Sequence, residues 1–75
     1  MTRDEWNALD DDLYEALTRI AGAMELLESA GVRLRAERSR DGAMVTKCAA
    51  DLYSMYCEVG KVHGRLDQVE VSDDQ

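Results

Sequence analysis

The chain contains no proline, no phenylalanine, one histidine and few β-branched residues. Without proline no helix is interrupted by a missing amide, and the shortage of β-branched residues argues against a sheet. His63 is the only histidine, and no CxxC or HxxxH pair occurs. A zinc site would need scattered ligands, so neither metal nor cofactor is expected. Cys48 and Cys57 lie nine positions apart. On one helix that spacing is about 13 Å along the axis, too far for a bridge. Nothing resembles a signal peptide or a membrane-spanning run. These absences lead to the expectation of a reduced, cytoplasmic protein with free thiols and no membrane partner.

What is present is helical. Apolar residues make up 45% and charged residues 33% of 75 positions, the balance of a soluble helical chain. That length gives one domain, 1–75, which alone buries only about 60% of its unfolded surface, so a partner subunit is expected to complete its core. The opening TRDE can form a capping box between Thr2 and Glu5. Trp6, Leu13, Ile20, Leu27 and Leu34 recur every seven residues, with Leu17, Met24 and Gly31 at the alternate seam position. Leu9, Ala16, Ala23 and Ala30 flank this stripe, so one edge of a wide apolar face is lined by small residues. The pattern predicts a helix over about 3–38, bent at Gly31; the alternative is a helix ending near 30 and an irregular arm.

SRDG is the strong mid-chain turn signal, placing a turn at about 39–41, with Ser39 or Asp41 able to cap the next helix. That helix is expected over about 42–70, with Val45, Leu52, Val59 and Leu66 alternating with Cys48, Met55, Val62 and Val69, before an acidic tail at 71–75. The predicted fold is all-α, an antiparallel two-helix hairpin. Two such hairpins pairing as a homodimer would make a four-helix bundle. Its oligomer core would be Leu13, Leu17, Ile20, Met24, Leu27, Leu52, Met55, Val59, Val62 and Leu66.

Two further groups of residues stand out. Tyr53, Cys57, Gly60 and Gly64 form a second stripe on the later helix. Each glycine costs about 1 kcal/mol relative to alanine in an exposed helix, a cost that close approach of a partner would explain. The stripe reads either as a partner-binding surface or as tolerated surface residues beside an amphipathic tyrosine. Cys48 is expected to be buried in the seam and Cys57 to point outward. Tyr14, Tyr56 and His63 are boundary residues. Asp10 falls on a seam position, where water or a basic partner must meet it.

Net charge is −7, distributed as −6 over residues 1–30, +3 over 31–47 and −4 over 48–75. A hairpin would gather Arg33, Arg35, Arg38 and Arg40 at one end and both acidic termini at the other. Cations suit a helix C-terminus, and four arginines can also bind an anion. Direct nucleic-acid binding is disfavoured by the acidic total. No nucleophile–base pair, phosphate loop or metal constellation is evident, so no enzymatic activity is expected. In size, acidity and hairpin pattern the chain is similar to many small accessory proteins of phages and bacteria that act by binding another protein. The leading expectation is a non-enzymatic adaptor, inhibitor or antagonist that occupies a partner's surface. The alternatives are a sensor of phosphorylated ligands or nucleotides at the arginine-rich turn, and a purely structural oligomerisation module.

Overall fold

The computed structural model describes residues 1–72. Helix α1 spans Arg3–Ala36, helix α2 spans Asp41–Gly64, and a 3-10 turn follows at Leu66–Gln68. The helices are antiparallel arms of one hairpin, a rod of 61 × 15 × 11 Å between Cα atoms. No described helix is long and apolar enough to cross a membrane.

The capping box forms at the start of α1. The Glu5 amide donates to Thr2 Oγ1 at 3.1 Å, and the Thr2 amide donates to Glu5 Oε1 at 2.9 Å. These bonds hold the Glu5 carboxyl below its ordinary pKa of 4.5, the Thr2 backbone bond being the larger cause. At the other end α1 closes in a Schellman motif. The Ser39 amide donates to the Leu34 carbonyl at 2.8 Å and the Arg38 amide to the Arg35 carbonyl at 2.9 Å. Arg38 sits at the left-handed position with φ 59°. The Ser39 hydroxyl then accepts from the Asp41 amide at 3.2 Å, supporting the first turn of α2.

Helix α1 runs unbroken through Gly31, which packs closely against the start of α2. A Cβ at Gly31 would stand 2.6 Å from Thr46 Oγ1, and one at Gly42 would stand 3.1 Å from the Arg35 amide and 3.2 Å from the Gly31 carbonyl. The Thr46 hydroxyl is itself anchored, donating to the Gly42 carbonyl at 2.9 Å.

The seam of α2 differs from the expected one. Val45, Leu52, Val59 and Leu66 do face α1, but Ala49 and His63 stand in place of Cys48 and Val62, one residue round, and Gly42 extends that row to the start of α2. Steps of four then three replace three then four, because the glycine crossing and the Asp10–His63 pair both require that rotation. Cys48 is therefore exposed rather than buried, and Cys57 is half-buried rather than outward. Met55, Val62 and Val69 are 49%, 46% and 39% exposed. Leu13, Leu17, Ile20, Met24 and Leu27 lie half-buried along α1. Among the described residues only Ala49 and Leu66 are buried hydrophobics, at 3% and 4% exposure, and no large side chain is fully enclosed.

Helix α2 stops at Gly64, short of the expected residue 70. Glycine is a poor helix former, and Arg65 leaves helical geometry at φ −104°. The chain bends so that Leu66 turns inward and its carbonyl accepts from the Trp6 indole Nε1 at 3.0 Å. The Ser72 amide then donates to the Met1 carbonyl at 2.7 Å, and Thr2 and Ser72 form an isolated parallel bridge. The start of the expected acidic tail is thus tied to the N-terminus; its residues 73–75 lie outside the described residues.

Candidate functional site

The seam ends in a polar contact near the open end of the hairpin. His63 Nε2 and Asp10 Oδ1 are 2.8 Å apart, with both side chains partly exposed. Register explains the pair. Residues 10 and 63 are almost equidistant from the turn, as are 6 and 66, and 31 and 42. Asp10 meets the basic partner its seam position called for. His63, expected as a mere boundary ring, supplies it. No cluster of three or more His, Cys, Asp or Glu side chains among the described residues is arranged for a metal.

One side of the hairpin carries a shallow groove of about 220 Å³, lined by Ala21, Met24, Glu25 and Glu28 of α1 and Tyr53 and Tyr56 of α2. Tyr53 is 59% exposed, and both glutamates are open to solvent. Neither glutamate is ion-paired among the described residues, whereas Glu15, Asp51 and Glu58 each pair with a cation on their own helix. Two tyrosine rings and a thioether offer apolar contact, and the carboxylates offer a place for positive charge. The groove was not legible from either helix alone, since it needs Glu25 and Glu28 at the level of Tyr53. The pairings 10/63 and 31/42 set that level.

Of the expected partner-binding stripe, Tyr53 lines the groove, and helical spacing continues the row along the same flank of α2 through Cys57, Gly60 and Gly64. Cys57 and Gly60 are half-buried and Gly64 is exposed. A Cβ at Gly60 or Gly64 would meet nothing within 4 Å, so neither glycine is required by a contact inside the chain. The stripe lies beside the seam and not opposite it.

The four arginines sit at the turn as their positions require. Arg33 and Arg35 end α1, Arg38 holds the left-handed position, and Arg40 precedes α2. All four are exposed, and none is in an ion pair among the described residues. Arg33 and Arg35, two apart on a helix, point to different sides.

Comparison with protein-family models, curated proteins and solved structures finds no significant match to this chain.

Proposed function

We propose that the chain is a small, acidic, non-enzymatic protein-binding module of the reducing cytoplasm, which pairs with itself and acts by occupying a partner protein's surface. The observation that supports this most is the groove at Tyr53. It joins exposed aromatic rings, Met24 and two glutamates without cationic partners, on the flank that also carries Gly60 and Gly64. Its chemistry suits a basic, amphipathic segment of another protein, whose apolar stem would lie on the rings while its cationic head meets Glu25 or Glu28. Tyrosine-centred contacts of this kind carry a large share of the energy in protein interfaces.

An affinity pull-down from the native host, read by mass spectrometry, tests the reading. The wild-type chain should retain a specific protein, and Tyr53→Ala and Gly60→Leu should lose it while circular dichroism stays unchanged. Equal capture by all three chains would remove the groove from consideration. The exposed arginines at the turn, none in an ion pair among the described residues, support a second reading, a sensor of phosphorylated ligands. That reading requires a thermal-shift gain with nucleotides or phosphosugars that Arg38→Ala together with Arg40→Ala abolishes.

A further inference from the structure

The hairpin exposes 5874 Å². A compact monomer of its 8.4 kDa exposes about 4,600 Å². The excess, about 1,300 Å², exceeds the roughly 800 Å² that each partner contributes to a standard interface and falls in the range of obligate dimers. The groove occupies one side of the hairpin. Helical spacing gathers Met44, Cys48, Met55 and Val62 of α2 on the opposite side, together with the small edge Ala16, Ala23 and Ala30 of α1. The four α2 side chains are all exposed, and they form the apolar row that the hairpin's own seam leaves out.

We infer that a second copy of the chain covers this side, running antiparallel, with Met55 at the two-fold axis. The inference deepens the self-pairing part of the proposed function by assigning its face, direction and register. The row is self-complementary about Met55, because Cys48 and Val62 lie seven positions to either side. A two-fold contact requires that property. Met55 is also at mid-height of the rod. The centre of α1 lies near residue 20, and the 10/63 and 31/42 pairings put that level opposite about residue 54. An axis there overlaps the two rods along their whole length. Direction follows from charge. The turn segment 31–47 carries +3 and the chain on either side is acidic. Antiparallel copies set each basic turn beside the other's acidic open end, whereas parallel copies would stack turn on turn. Ala16, Ala23 and Ala30 allow the backbones to approach closely.

Light scattering at tens of micromolar should give a dimer, and a monomer at that concentration overturns the inference. The proposed partner protein would still be captured through Tyr53 in that case, so the groove reading and the dimer reading fail separately. In a Cys57→Ser background, Val62→Cys should convert to a covalent dimer under oxidised glutathione, because position 62 meets Cys48 of the second copy. Cys48 alone should not cross-link, since the two copies of it lie about 21 Å apart along the axis. A bridge between the two Cys48 residues would instead mean parallel packing and overturn the assignment. Met55→Asp places two like charges at the axis and should weaken the dimer at least tenfold, roughly, without unfolding an exposed position. Gly60→Leu, on the groove side, should leave the dimer intact. If Gly60→Leu dissociates it and Met55→Asp does not, the face is wrong.

Discussion

Glycine acts in opposite ways in the two arms of this molecule. At Gly42 a methyl group would press on the Arg35 amide and the Gly31 carbonyl, backbone atoms that cannot rotate away. At Gly60 it would meet open space. Gly42→Ala should therefore lower stability by about 1–2 kcal/mol, the overpacking cost outweighing the gain in helix propensity. Gly60→Ala should raise it by about 1 kcal/mol. Chemical denaturation of the two variants checks the pair, and equal shifts would mean that the arms do not touch at Gly31. Glu5 gives a residue-scale dependence on pH. Its folded pKa is depressed by its bonds to Thr2. The stability it contributes is therefore present above the unfolded carboxylate value of 4.5 and lost as pH falls through the lower folded value. The melting-temperature gap between wild type and Glu5→Ala should narrow steadily below that pH.

Among the elements, the turn departs furthest from local preference. Arg38 takes the left-handed position of the Schellman motif with φ 59°, where glycine is usual. A side chain there costs about 1–2 kcal/mol. Arg38→Gly should recover about 1 kcal/mol of stability at unchanged helix content, and a loss on denaturation would show the arginine makes a compensating contact. The elements also show what the sequence could and could not reveal. The capping box at Thr2 and Glu5, the turn after α1 and the sevenfold row Val45, Leu52, Val59 and Leu66 depend on near neighbours, and all were legible. The rotation of α2 was not. Cys48 and Ala49 are both small enough for a seam, so local pattern could not choose between them. The choice is made across the hairpin by Gly31 against Thr46 and by Asp10 against His63. Gly31 left a helix end near 30 open as an alternative for the same reason, since its purpose lies on the other arm. The groove at Tyr53 likewise depends on register between arms.

For the whole molecule, the rotated seam reverses the expected order of thiol reactivity. Cys48 is exposed on the hairpin and Cys57 half-buried. In dilute solution Cys48 should react faster with a thiol reagent. As concentration rises and a second copy covers its row, Cys48 should slow while Cys57 stays constant. Timed alkylation with peptide mass spectrometry separates the two sites. Cys48 rates that do not change with concentration would leave the Met55 face uncovered.

The clip at the open end bears on how the hairpin forms. The Gly31–Gly42 crossing joins residues eleven apart, while the Trp6 indole and the Leu66 carbonyl join residues sixty apart. Closing the longer loop directly costs about 1.5 kcal/mol more in chain entropy. The economical route starts at the Schellman turn, seats the glycines, and brings the arms together level by level until the indole finds its carbonyl. Opening should run in reverse. The indole bond and the Ser72–Met1 bond hold the ends where such a zipper would otherwise begin to come apart. Removing one indole nitrogen, near the end of the rod remote from the turn, would thus speed unfolding more than it slows folding.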